Sequence, residues 1–200
     1  MAGPERKSRV IPEKERRIIA HHEAGHALVM RMIPECDPVH KVSIVSRGMA
    51  LGYTMSLPDE DRYLENQSKF EARLAAIMGG RAAEEIAFDE ITTGASDDLD
   101  KATKLARAMV TQYGMSKKLG PLTFGEKEEM VFLGKEIGEH RNYSNEVARQ
   151  IDHEVRRIIN NAHEKARQLI LEHKDKLDEI AQRLLKEETL DSQAFEAIFA

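Results

Sequence analysis

Tryptophan is absent from the 200 residues, aromatic side chains make up 5%, and there is a single cysteine, Cys36. One thiol cannot close an internal disulfide, which excludes a small cross-linked secreted scaffold and fits a reducing compartment. No stretch is long and apolar enough for a bilayer. The longest run without Asp, Glu, Lys or Arg covers only residues 48–58, against the ~20 apolar residues that a spanning helix needs. No basic, apolar and small-residue series of the kind that makes a secretory leader is found at the start. An excess of positive charge is also lacking: 35 acidic against 30 basic residues give a net charge of −5, with the signs interspersed. That excludes the basic stripe that phosphates require, so nucleic acid is not an expected partner. What is present is 41% hydrophobic residues, nearly all aliphatic. At this length they predict one domain with a real, mainly helical core.

The pattern divides the chain. Residues 1–10 are polar, carry Gly3-Pro4 and a basic cluster, and read as a linker remnant. After Pro12 an acidic first turn, Glu13 and Glu15, precedes Ile18, Ile19, His22, His26, Val29, Met30 and Ile33 at helical spacing, and Pro34 stops the run. Val42 and Ile44, then Leu51, Tyr53, Met55 and Leu57, alternate with period two around a possible turn at Arg47-Gly48, which predicts a hairpin. Ser68 with Glu71 has the form of a capping box before a helix bearing Phe70, Leu74, Ile77 and Met78. Gly79-Gly80 either interrupts that helix or marks close packing against a neighbour. A small, polar loop over residues 92–96 leads into a third helix opened by Asp97, Asp98 and Asp100, with Gly114 placed to end it. Residues 120–138 read as an irregular connection. From Ser144 a helical stripe runs to Leu184, broken near residues 173–176 into an expected antiparallel pair and followed by a short helix around Phe195. The fold class is therefore mainly α with a small β-hairpin or sheet. The expected division is a linker over 1–10, a core over 11–125, and a helical region of the same domain over 126–200.

The sequence His22-Glu23-Ala24-Gly25-His26 is the chemically informative stretch. Residues four apart share one helical face, so two imidazoles can reach one ion while Glu23 stands beside it. That is the pattern of a zinc hydrolase, in which an open coordination position holds a water whose pKa drops from 15.7 to about 7. Glu23 is then the general base. It takes a proton as water attacks a carbonyl and returns it to the leaving amine. His21 would point away from such a site and is read as a packing or surface residue. A catalytic zinc needs a third protein ligand. Glu84 or Glu85 on the second helix, and Asp97 or Asp98 at the mouth of the third, all qualify, and helical geometry does not rank them; for the aspartates, simple capping is the competing role. Cys36 belongs to no metal-spaced pair and reads as an idle thiol.

Taken in order, HEAGHA from His22, PECDPVHKVSIVSRGMALGYT from Pro34, SLP at Ser56, GGRAAEEI from Gly79, TTGASDDLDKAT from Thr92, KLGPL at Lys118 and VFLGKEI at Val131 resemble the peptidase domain of the FtsH family of membrane-bound, ATP-dependent zinc proteases. The resemblance extends over essentially the whole chain. It implies a zincin-like helix followed by a C-terminal helical bundle, and one zinc ion per chain. His22 and His26 match the family's histidine ligands, Glu23 its catalytic base, Asp98 its third ligand and Glu84 a carboxylate standing behind the ligands that could hold an imidazole in the right tautomer. The family often has asparagine where this chain has Asp97, and usually tyrosine where it has His21. The resemblance further implies hydrolysis of unfolded, misfolded or membrane-extracted polypeptides, a six-membered ring of identical subunits, and a parent anchored in the membrane and working at the cytoplasmic face of the inner membrane. No Gly-x-x-x-x-Gly-Lys-Ser/Thr segment occurs in this chain, so the parent's ATP-using module and its membrane anchor are expected before residue 1. An edge strand over residues 49–57 could hold substrate extended across the metal. The rival reading is a ring-forming oligomerisation module with little activity of its own, built on the charged C-terminal helices.

Overall fold

A computed structural model describes residues 11–46, 51–57, 64–125 and 142–200. The expected linker over 1–10, the turn at Arg47-Gly48, the first residues of the 49–57 strand, most of the 120–138 connection and the block at Val131 lie outside them.

Helix α1 (Glu13–Met32) begins behind Pro12, carries Glu13 and Glu15 in its first turn, where the helix dipole favours negative charge, and stops before Pro34. Its buried face includes the small residues Ala20, Ala24 and Ala27, all fully enclosed. Helix α2 (Gln67–Phe88) packs along that face. Gly79-Gly80 does not interrupt α2, which runs on through both. A Cβ on Gly25 would lie 2.4 Å from the Gly79 carbonyl oxygen, and one on Gly79 would lie 2.6 Å from that of Gly25. The two backbones therefore touch, a distance only glycine permits. The start of α2 departs from the capping-box expectation. Asn66 is the cap, its side chain accepting from the Lys69 backbone N–H, while Ser68 donates its hydroxyl to Asn66. An amide oxygen one residue before the helix satisfies the free N–H that Ser68, already inside the first turn, cannot reach.

Strands β1 (Val39–Ser43), β2 (Tyr53–Ser56) and β3 (Thr189–Asp191) form an antiparallel sheet in the order β2-β1-β3, with Val42 opposite Thr54 on one side and Leu190 on the other. The hairpin expected from period-two alternation is present. The third strand is an addition to the sequence reading, because three residues are too few to show a period. The sheet leaves β2 at an edge, with β1 as its strand neighbour, and lies against α1.

A short 3-10 turn (Thr93–Ala95) leads into α3 (Ser96–Thr111), after which Gly114, at φ 60°, turns the chain. Helix α4 (Asn145–Glu172) is capped by Ser144, whose hydroxyl accepts from the Val147 N–H. It gives way at His173 to α5 (Lys174–Glu187), and α6 (Ser192–Glu196) follows β3. The break between α4 and α5 falls where expected, but the two helices of the expected antiparallel pair pack on each other only slightly. α4 lies on α2 and α3, whereas α5 lies on α1. Each has its own apolar stripe, and burying the two stripes on different helices joins them to one continuous core, in which Leu28, Leu74, Met109, Ile151, Leu184 and Phe195 are enclosed. No helix among the described residues is long and apolar enough to cross a membrane.

Candidate metal centre

Three donor atoms converge where α1, α2 and α3 meet. His22 Nε2 and His26 Nε2 are 3.1 Å apart, and Asp98 Oδ2 is 3.1 Å from each. All three residues are largely buried. The back of each ring fixes its tautomer. His26 Nδ1 faces the Ala76 carbonyl oxygen at 2.8 Å, and a carbonyl only accepts, so that nitrogen carries the proton. The Gly80 N–H approaches the same nitrogen at 3.3 Å, and the shorter carbonyl contact decides. His22 Nδ1 faces Glu84 Oε1 at 2.7 Å, and Glu84 Oε2 accepts the Thr92 N–H at 2.8 Å, so the carboxylate is the acceptor here too. With protons on both Nδ1 atoms, two Nε2 atoms and a carboxylate oxygen are turned toward one point. Three such atoms packed this closely need a metal ion or a proton between them.

The spacing also fits the ion. For bonds of about 2.0–2.1 Å, a regular tetrahedron sets its donors roughly 3.3–3.4 Å apart, and two imidazoles with one carboxylate leaving a fourth position free is a donor set of catalytic zinc. Without an ion, burial pushes the His22 ring toward neutrality. Its bonds to Asp98 and Glu84 outweigh that and raise it to about 10. Burial likewise opposes ionisation of Asp98, yet its bonds to both histidines hold its carboxyl well below the usual carboxylate range. Proton and metal thus compete for the same lone pairs.

Each supporting group has a traceable origin. Asp98 stands in the first turn of α3, and its second oxygen, Oδ1, accepts from Lys101 Nζ at 3.2 Å. Glu84 ties the back of His22 to the segment that leads into α3, where Thr92 in turn accepts the Gly94 N–H. Its bonds to His22 and Thr92 overcome burial and keep it below the ordinary glutamate value. Gly80 is part of the cradle: a Cβ there would lie 2.6 Å from Nε2 of both His22 and His26. Glu23 is buried on α1 beside His22 and His26, and burial, its largest influence, pushes its carboxyl up. Thr54 on β2 donates its hydroxyl to Glu23 Oε2 at 2.8 Å. A cleft of about 910 Å³ opens over this group, walled by Ile19, Met30, Tyr53 and Ile77 as well as by the polar residues.

Of the four carboxylates open as third ligand, Asp98 is the one on the histidines and Glu84 the one behind His22. Glu85 turns away to Arg81 and His163, and Asp97 lies on the cleft wall. His21 points elsewhere, its ring edge-on to Phe88 and its Nδ1 at 2.8 Å from the Arg17 carbonyl. Cys36 is half-buried against the Ala72 carbonyl, and burial raises its thiol to about 11, the state of an inert side chain. The sequence reading did not single out the Ala76 carbonyl, Thr92, Thr54 or a role for Lys101. Only Gly79-Gly80 left a signal, as two glycines inside an otherwise strong helical pattern.

An HExxH helix closed by a carboxylate from a distant helix is the donor set of a metallopeptidase. The chain belongs to peptidase family M41, whose family model matches residues 9–198. It is 59% identical over 199 residues to ATP-dependent zinc metalloprotease FtsH 1 of Thermomicrobium roseum, covering 100% of this chain and 30% of that protein. It is 54% identical over 201 residues to ATP-dependent zinc metalloprotease FtsH of Chloroflexus aggregans, covering 99% and 31%. Against the FtsH protein of Thermotoga maritima it is 50% identical over 201 residues, covering 100% and 33%. The chain thus spans about a third of the length of these curated relatives.

Proposed function

We propose that the chain is a zinc-dependent endopeptidase, the proteolytic part of an ATP-dependent membrane protease, in which His22, His26 and Asp98 hold one zinc ion and Glu23 is the general base. The observation that carries the reading is the convergence of three ligand atoms, His22 Nε2, His26 Nε2 and Asp98 Oδ2, at mutual distances of 3.1 Å. Bound there, zinc supplies Lewis acidity, polarising the scissile carbonyl and lowering the pKa of water. Glu23 accepts the proton of the attacking water and passes it to the amine nitrogen as the peptide bond breaks. Burial, which raises Glu23, suits a group that must hold a proton briefly and release it. Glu84 and the Ala76 carbonyl hold the two rings with their Nε2 atoms turned inward. The β2 edge beside the cleft is suited to pairing with an extended substrate backbone, which selects for unfolded segments rather than for a sequence.

The relatives' names add a dependence on ATP. Their ATP dependence points to a parent in which a nucleotide-driven module feeds unfolded, misfolded or membrane-extracted proteins into this site. In that parent we place the domain at the cytoplasmic face of the inner membrane, in a ring of six identical subunits. The test is direct. The purified protein should hold about one zinc and cut an unstructured peptide, and Glu23→Gln should keep the metal while losing cleavage. Cleavage retained by Glu23→Gln would remove the glutamate from its role. An oligomeric protein without zinc-dependent cleavage would favour the oligomerisation module.

A further inference from the structure

A buried carboxylate at the end of a three-bond side chain has several rotamers, and a general base works in only one of them. Nothing in the zinc ligand set fixes that rotamer, since Glu23 is not among the converging donors. The hydroxyl of Thr54 reaches it from a different element. Thr54 Oγ1 lies 2.8 Å from Glu23 Oε2 and 3.2 Å from the Glu23 carbonyl oxygen. One hydroxyl has one proton, and the shorter, charge-assisted contact takes it. The other oxygen is treated differently. Gly52, two residues earlier on the same segment, packs close to it, since a Cβ at that position would stand 2.7 Å from Oε1 and 2.8 Å from Glu23 Cγ, so a side chain there would push the carboxylate out of place. Gly52, Thr54 and Glu23 all border the same cleft.

We infer that Thr54 is a positioning residue for the general base: its hydroxyl anchors Oε2 of Glu23 and, with the Gly52 backbone packed beside Oε1, holds the carboxylate in the one rotamer in which it can take the proton from water. The inference rests on Glu23 being the base, and it adds a consequence for the sheet. Thr54 is paired through its backbone with Val42, so the strand at the sheet edge that borders the cleft also carries the group that aligns the base. Seating of an extended substrate and alignment of Glu23 then depend on one short piece of backbone.

The test compares wild type, Thr54→Val, Thr54→Ser and Glu23→Gln for cleavage of an unstructured fluorogenic peptide, zinc content, thermal unfolding, and binding of a peptide hydroxamate, whose hydroxyl needs a correctly placed carboxylate to accept its proton. Valine keeps the shape and strand preference of threonine and removes only the donor. Thr54→Val should lower kcat about 10–100-fold with KM within about twofold. Hydroxamate binding should weaken in parallel, with zinc content and melting temperature unchanged, and Thr54→Ser should restore most of both losses. Wild-type kcat and hydroxamate affinity in Thr54→Val, with Glu23→Gln inactive, overturn the role of Thr54 and leave the proposed function standing. Equal impairment in the serine variant, or lost zinc or a lowered melting temperature in the valine variant, shows a merely structural threonine and also overturns it. If Glu23→Gln cleaves the peptide and binds the hydroxamate like wild type, Glu23 is not the base, and the part of the proposed function on which the inference rests fails.

Discussion

Gly80→Ala is the sharpest single probe of the metal centre, because it adds one methyl group and removes nothing. The new carbon would sit 2.6 Å from Nε2 and Cε1 of His22 and 2.6 Å from Nε2 of His26, where ordinary contact begins at 3.4 Å. Both rings, or the α2 backbone, must therefore yield by about 0.8 Å, whereas zinc distances tolerate about 0.2 Å. Neither ring has an easy retreat, since Ala76 and Glu84 hold their far sides at 2.8 and 2.7 Å. Folding stability should change much less. Overpacking costs about 1–3 kcal/mol, and replacing a mid-helix glycine by alanine returns about 1 kcal/mol, so the fold survives with a modest loss. Because two ligands are displaced, zinc affinity should fall by more than the ~10–100-fold typical of damage behind the ligands. Competition with a chromophoric chelator measures the affinity, and circular dichroism reports the fold. A folded Gly80→Ala protein with wild-type zinc affinity would refute the placement of the ion against these two nitrogens.

Three further outcomes are expected. Asp98→Ala should lose zinc affinity by well over 100-fold, whereas Glu84→Ala should lose about 10–100-fold, and metal-binding titration of the two variants checks the order; the reverse order would make Glu84 the ligand. Gly25→Ala forces a methyl to 2.4 Å from the Gly79 carbonyl and should cost about 1–3 kcal/mol, which thermal unfolding reads as a drop of several degrees. In chelator-treated protein, His22 is raised from 6.5 to about 10 by Asp98 and Glu84 after burial has pulled the other way. Its contribution to stability is therefore complete below pH 6.5 and is lost progressively as the pH climbs toward 10. A melting temperature that stays flat over that interval, measured against His22→Ala, would contradict this.

Much of the architecture was legible from the chain because the dominant signals are local. Pro12 and Pro34 bracket α1, Ser144 caps α4, and the apolar stripe of each long helix declares its buried side. What escaped was decided at a distance. Asn66 outcompetes Ser68 for the cap of α2 by standing one residue outside the helix. Thr189–Asp191 becomes a strand only because β1 offers it an edge. The HExxH spacing marks its own helix, yet Glu84 and Asp98 lie 62 and 76 residues from His22, and no period connects them. Their approach depends on the packing of α2 and α3, as does the difference between Asp97 and Asp98, which a quarter-turn of helix settles. Thr54 left no trace at all, since threonine on a half-buried strand is ordinary.

The split origin of the three donors has a kinetic consequence. Two of them ride on α1, which is locked to α2 where Gly25 meets Gly79, while the third is carried by the opening turn of α3, and helix ends fray before helix middles. Metal exchange should then run through transient peeling of that turn, with the imidazole pair staying assembled as a half-site that recaptures an ion. The rate at which a scavenger strips the domain would report the fluctuations of a few residues near Asp98 rather than global unfolding, and Glu84, by tethering Thr92 to His22, acts as the brake on that motion.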